Sequence, residues 1–338
     1  MAGELKLAVL GCGGFARKRQ VPNLVAQPGV RLVACCDQER GNAEALAQEA
    51  SNGAAVVYDD YVTMLDKARP DAVYIALPPY AHADEVQEAA RRGIHVFIEK
   101  PIALDMDTAW RMVEAAERAG IVTQVDFQFR FGAAVERVAA QIASGEGGSP
   151  GLMLARYFCN SLHAPWWRQK DKSGGQLVEQ VIHMIDLLRY FLGQPVSVVG
   201  RQANLFHRDV PDYTVEDVSG VLVSFESGAL GVIAATNGAI PGKWINQYHL
   251  VARHMTADFT DANHATIAYT AEAPPRIEVF GDENHDPWAA VAADFVSAVV
   301  QNRPARIPIR EGALTLQLAL AANASAEQGR EVTLGPRK

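Results

Sequence analysis

The 338-residue chain reads as an α/β protein of two domains, a parallel-sheet domain at 1–124 and an α/β domain with a mostly antiparallel sheet at 125–338. Three observations predict this. Short apolar runs at 5–10, 31–36, 55–58, 72–77, 95–99 and 122–127 alternate with amphipathic stretches such as 42–51, 83–92 and 106–119, the pattern of a parallel sheet covered by helices. The alternation then stops at Gly145-Glu146-Gly147-Gly148-Ser149-Pro150-Gly151, a flexible break. Beyond it, runs near 152–158, 196–205, 217–225, 229–236, 247–252 and 265–270 are joined in places by short turns such as Glu226-Ser227-Gly228, which predicts antiparallel pairing. Helices are expected near 175–192, 288–301 and 312–328.

The first predicted strand runs into Gly11-Cys12-Gly13-Gly14-Phe15-Ala16, and the second ends at Asp37. This is the spacing of a dinucleotide-binding strand-turn-helix. Gly11 permits a tight turn, Gly13 lets backbone approach a pyrophosphate, and Ala16 lets the helix sit close to the sheet. The helix N-terminus offers free N–H groups to phosphate. A carboxylate at 37 suits ribose hydroxyls and repels a 2′-phosphate, so NAD is expected over NADP, with Arg40 the one nearby cation able to reverse that preference.

Composition is that of a globular enzyme. Hydrophobic residues make up 49% of the chain, and the net charge is −8 with no basic block, which argues against nucleic acid or an anionic membrane as partner. No apolar stretch approaches the ~20 residues of a membrane span, and residues 1–6 lack the layout of a signal peptide. Cys12, Cys35, Cys36 and Cys159 have no zinc-like spacing and are expected as reduced thiols of a cytoplasmic protein. His249, His254 and His264 show no ligand spacing either, so no metal site is expected.

In open α/β sheets ligands bind beyond the carboxyl ends of the strands. The glycine loop, Asp37, the segment Pro78-Pro79-Tyr80-Ala81-His82 and Glu99-Lys100-Pro101 follow predicted strands and should share that edge. The two prolines are either a rigid rail along the dinucleotide or ordinary loop stiffeners. Lys100 is either a solvated cation or a group aimed at substrate by the adjoining proline. A second cluster starts at Gly174-Gly175 and continues with Glu179, His183 and Asp186 at helical spacing. A carboxylate one turn from an imidazole can fix its tautomer and stabilise the imidazolium, which a base for alcohol oxidation requires. The same spacing also describes an ion pair on a solvated helix face. Ahead of it lie Asn160, His163, Trp166, Trp167, Arg168 and Lys172. Paired indoles can stack on a sugar ring or pack the interior, and Arg168 can bind a hydroxyl or carboxylate.

Taken together, Gly11–Ala16, Asp37, Glu99-Lys100-Pro101 and the Gly174-to-Asp186 pattern resemble the glucose-fructose oxidoreductase / inositol dehydrogenase / rhizopine-catabolism (Gfo/Idh/MocA) family over almost the whole chain. The resemblance implies a Rossmann domain, a C-terminal domain with a large open sheet, and a homodimer or homotetramer formed through that sheet. It implies NAD(P)-dependent oxidation of a sugar or polyol hydroxyl, or the reverse. Lys100, Glu179 and His183 match the family's catalytic lysine and carboxylate–histidine pair. The cofactor contacts implied are Gly11, Cys12, Gly13, Gly14, Phe15, Ala16, Asp37, Leu77, Pro78, Pro79, His82, Glu99, Lys100 and Gln128. Substrate contacts are expected from Arg130, Trp166, Trp167, Arg168 and His183. The chain departs from the family pattern in having Glu179 where aspartate is commoner, Val181 where glycine is, and Pro79 where many members have asparagine. A redox-neutral, glycosidase-like enzyme that uses NAD transiently and a non-catalytic NAD-binding sensor are the alternative functions. Which of Lys100 and His183 is the base stays open.

Overall fold

The computed structural model describes residues 4–335. These fall into two compact units, one made of residues up to 128 with 288–314, the other of 129–287 with those from 315 onward.

The first unit is built on a six-stranded sheet. Its strands are β1 (Leu5–Leu10), β2 (Val30–Cys36), β3 (Val56–Tyr58), β4 (Ala72–Ile75), β5 (His95–Ile98) and β6 (Thr123–Val125). They lie in the order β3-β2-β1-β4-β5-β6, every pairing parallel. This is the doubly wound arrangement, with its topological switch between β1 and β4. Leu7, Ala8, Val9, Tyr74, Ile75, Phe97 and Ile98 are fully enclosed, as continuous apolar strands predict. The helices are α1 (Val21–Val25), α2 (Arg40–Ser51), α3 (Tyr61–Ala68), α4 (Glu85–Arg91) and α5 (Met106–Ala119). Helix α3 is capped by Asp60, whose carboxylate accepts from Thr63 N at 2.7 Å, and α5 by Asp105, which accepts from Thr108 N at 2.8 Å. The helix expected after the glycine loop begins as a five-residue π-helical stretch, Ala16–Gln20, before α1. The chain returns to this unit late. Val125 N donates to Ile307 O at 2.9 Å, and Ile309 N donates to Thr123 Oγ1 at 3.0 Å, so the segment around 307 covers the exposed edge of β6.

The second unit carries nine strands: β7 (Pro150–Phe158), β8 (Pro195–Ala203), β9 (Val218–Phe225), β10 (Leu230–Thr236), β11 (Ile245–Ala252), β12 (Met255–Phe259), β13 (His264–Tyr269), β14 (Arg276–Gly281) and β15 (Val332–Thr333). Their order is β14-β13-β12-β11-β7-β10-β9-β8-β15, antiparallel except for β7 with β10. The helices are α6 (Ala133–Ala143), α7 (Lys170–Ser173), α8 (Gln176–Glu179) and α9 (Ile182–Leu192); α10 (Pro287–Gln301) and α11 (Ile309–Gln328) come later in the chain. Helix α9 lies so close to β10 that a Cβ on Gly231 would sit 2.7 Å from Leu188 Cδ1. Along β7 the residues alternate, with Met153, Ala155 and Tyr157 buried and Leu154 and Arg156 on the opposite face. That opposite face stays open: Leu154, Leu222 and Leu230 are each more than 40% exposed.

Two expectations change in this unit. Strands β12 and β14 are not among the expected strands, although Met255, Ala257 and Phe259 alternate with polar residues as in a half-buried strand; β14 is an edge strand with no buried residue. The single helix expected over 175–192 is two helices. Val181 N reaches back five residues to Gln176 O at 3.0 Å, and this widened turn separates α8 from α9. Such bulges recur at functional sites. Among the described residues, no helix is long and apolar enough to cross a membrane.

Candidate active site

The glycine loop is locally dictated. Gly11 has φ +88°, and a Cβ there would lie 2.5 Å from Ala76 O, so both the turn and the close approach demand glycine. A Cβ on Gly13 or Gly14 would meet nothing within 4 Å, and both residues are exposed. The loop therefore presents open backbone where a pyrophosphate needs it, while Ala16 is packed away at 1% exposure. Asp37 is bound to this loop. Its Oδ2 accepts from Cys12 N at 2.7 Å and its Oδ1 from Glu39 N at 2.9 Å, leaving lone pairs on each oxygen for ribose hydroxyls. Arg40 is engaged by Glu44 at 2.9 Å, one turn along α2. These residues fit a dinucleotide, and the donor set favours NAD.

Leu77 and Pro78 continue β4 in extended form into a single 3₁₀ turn, Pro79–Ala81. The His82 ring is turned inward, its Nδ1 2.5 Å from Glu85 Oε1, while Ala83 N donates to Glu85 Oε2 at 2.8 Å. Burial pushes the Glu85 carboxyl up, but the His82 hydrogen bond and charge and the Ala83 N–H outweigh it and leave the group below the ordinary glutamate range. His82 thus ties the start of α4 to the proline segment.

Glu99 and Lys100 come just after β5, and the Lys100–Pro101 peptide is cis. Lys100 is half-buried, whereas Glu99 is enclosed and accepts from Tyr74 Oη at 2.6 Å. Asp126, just past β6, is 1% exposed beside it. Burial raises both carboxyls, Asp126 the further because the Glu99 charge adds to it, while Lys100 pulls both down. Gln128 is buried at the start of a 3₁₀ turn.

In the second unit Glu179 ends α8 and His183 lies in the first turn of α9. Glu179 Oε2 accepts from the indole Nε1 of Trp167 at 2.7 Å. His183 is buried, its ring centroid 4.9 Å from that of Phe129. Asp186, three residues beyond, is committed elsewhere. Arg130 donates to it twice, from Nε at 2.7 Å and Nη2 at 2.6 Å, and Thr315 Oγ1 donates to it at 3.1 Å. Asp186, whose spacing three residues beyond His183 also puts the imidazole within its reach, is taken instead by this buried bidentate pair, because the guanidinium fork matches a carboxylate better than an imidazole does. Arg130, expected at substrate, also lies over the Tyr190 ring at 5.0 Å.

The loop ahead of α8 divides its candidates. Trp167 is 2% exposed in a cluster with Tyr213 and Val215, and Trp166 is partly buried against the same cluster. Arg168 donates to the carbonyls of Leu162 at 3.0 Å and His163 at 3.3 Å, closing the loop on itself. The structure adds residues that the sequence did not single out. Ser219 Oγ donates to Gln176 Oε1 at 2.6 Å, Gln176 Nε2 to Asn237 Oδ1 at 2.8 Å, and Gln180 Nε2 bonds both Cys159 Sγ and His163. Burial pushes the Cys159 thiol up to about 11, so it serves as a neutral member of this network. Tyr74 and Asp126 were also unmarked; the one available signal was an acid, Asp126, ending an apolar strand.

A glycine loop shaped for pyrophosphate at the switch of a doubly wound sheet, with Asp37 beside it, defines a nicotinamide-dependent oxidoreductase. Comparison with known proteins agrees. Residues 5–127 match the model of the oxidoreductase family with an NAD-binding Rossmann fold, and residues 135–285 match the GFO/IDH/MocA C-terminal domain. The chain belongs to the Gfo/Idh/MocA family of oxidoreductases. It is 24% identical to scyllo-inositol 2-dehydrogenase (NAD(+)) of Bacillus subtilis (strain 168), covering 100% of this chain and 98% of that one. It is 30% identical to D-glucoside 3-dehydrogenase of Escherichia coli (strain K12), over 68% of this chain and 69% of the relative. Levoglucosan dehydrogenase, solved in complex with NADH and levoglucosan, shares the fold with a TM-score of 0.89 at 19% identity, covering 98% of this chain and 100% of that one. The protein is an NAD(P)-dependent dehydrogenase acting on CH–OH groups.

Proposed function

We propose that the protein oxidises a hydroxyl of a sugar or polyol, or reduces the matching ketone, with Lys100, Glu179 and His183 as its catalytic residues. The observation that carries this reading is the Gly11–Ala16 loop with Asp37, a dinucleotide cradle on the edge where Lys100 succeeds β5. A nicotinamide dinucleotide held by the Gly11–Ala16 loop and Asp37 would supply the hydride acceptor for oxidation, or the hydride donor for reduction. His183 takes the hydroxyl proton, with Glu179 stabilising the imidazolium. Lys100, as a cation, stabilises the alkoxide oxygen, an effect worth several kcal/mol in a water-poor site. Glu179 is itself held by Trp167, so its carboxylate is oriented before substrate arrives. The activities for which the relatives are named, on inositols and glucosides, support a cyclic polyhydroxyl substrate. The open sheet face bearing Leu154, Leu222 and Leu230 is where a second copy docks, and four buried free thiols suit a reducing cytoplasm.

A panel of cyclic polyols, aldoses and glycosides with NAD, monitored by NADH absorbance, tests the reaction. His183→Ala and Lys100→Met should each lower kcat by roughly 10²–10⁴ while NADH binding stays nearly intact. Turnover near wild type in either variant removes that residue from the mechanism. Bond cleavage without net NADH, or NADH binding without turnover on any compound, overturns the dehydrogenase reading.

A further inference from the structure

Two acids meet at the C-terminal ends of β5 and β6. Glu99 N donates to Ile75 O at 2.9 Å and Asp126 N to Ile98 O at 3.0 Å, so adjacent parallel strands bring both residues to one level of the sheet. Asp126 is 1% exposed, and neither of its carboxyl oxygens receives a hydrogen bond. Glu99 is enclosed and accepts a hydrogen bond from Tyr74 on β4. The titratable groups acting on the pair are each other, Tyr74 and Lys100. Two like charges in such a place cannot both ionise; one carboxyl keeps its proton. An acid whose oxygens lack any donor is the one best satisfied by carrying the proton and donating it.

We propose that Glu99 and Asp126 hold one proton between them, with Asp126 neutral and donating to Glu99, so that a single negative charge positions the Lys100 side chain. Tyr74 donates to the same carboxylate, at Oε1. Both acids are positioning residues. The arrangement rests on the proposed role of Lys100, but the place of the proton does not depend on that role.

Two measurements test it. Infrared spectra of the apoprotein at neutral pH should contain a protonated-carboxyl C=O stretch that disappears in Asp126→Asn. This reading needs no turnover, and in wild type it needs no variant to fold. Absence of the band in wild type at neutral pH overturns the proposal. In kinetics, Asp126→Asn, which keeps a neutral donor, should leave the pH profile of kcat/KM unmoved. Glu99→Gln removes the one negative charge of the pair, so a limb of that profile should move by about 1–3 pH units. A limb that stays in place in Glu99→Gln, or moves as far in Asp126→Asn, overturns the assignment. Wild-type turnover in Lys100→Met sinks the catalytic role of the lysine alone, and the infrared band still locates the proton.

Discussion

At the scale of single residues, backbone geometry sets the strongest constraint. Gly11 combines a positive φ with a 2.5 Å approach to Ala76 O, whereas Gly14 has free space where a Cβ would be. Gly11→Ala should therefore cost about 1–3 kcal/mol, read as roughly tenfold to hundredfold weaker NADH binding by fluorescence titration. Gly14→Ala should leave folding intact; equal NADH affinity in the wild type and in Gly11→Ala would refute the argument. These glycines, Asp37 and Lys100 were legible because loop chemistry is local, a matter of φ and of position at a strand's carboxyl end. The partners of the same residues were not. Nothing in the chain order says that Asp37 accepts from Cys12, that Asp186 serves Arg130, or that Asp126 lies beside Glu99. Those pairings come from strand order and helix packing. The Arg130–Asp186 pair also warns against reading an Arg130 substitution as loss of substrate contact, since breaking a buried pair from one side costs about 3–5 kcal/mol.

At the scale of elements, periodicity placed the helices but missed a break. The apolar spacing of Leu177, Val178, Val181, Ile185 and Leu188 fits one helix, yet the Val181–Gln176 hydrogen bond widens the turn between α8 and α9. A one-residue bulge barely alters an apolar pattern, so periodicity cannot report it. It does change the angle between Glu179 and His183, which are four apart and would be stacked in a regular helix. The Trp167 indole supplies the orientation that helical spacing no longer guarantees. Trp167→Phe keeps the ring in its cluster with Tyr213 and Val215 but removes the N–H bound to Glu179. A hydrogen bond to a charged group contributes about 1.5–3 kcal/mol, so kcat should fall roughly tenfold to hundredfold, with NADH affinity little changed. Undiminished kcat in that variant would show that Glu179 needs no such support.

At the scale of the whole molecule, each unit has its own logic. The six parallel strands are buried on both sides and show as continuous apolar runs. The nine-stranded sheet is apolar on both faces of β7, β9 and β10, although α9 covers only one. Leu222→Glu on the open face should lower the sedimentation mass toward that of a monomer without lowering the melting temperature, because no core contact is lost. An unchanged mass would place any self-association elsewhere. The amino-acid sequence by itself determined the class of each sheet and the dinucleotide loop. Both depend on residue type, short spacing and hydrophobic period. Only the tertiary structure decided the strand order, the return of residues 288–314 to the first unit, the bulge before α9, and which buried acid meets which cation or donor. Pairings such as Tyr74 with Glu99 and Thr315 with Asp186 join residues 25 and 129 positions apart, and they are settled by which strands and helices pack together, a global property with no local signature.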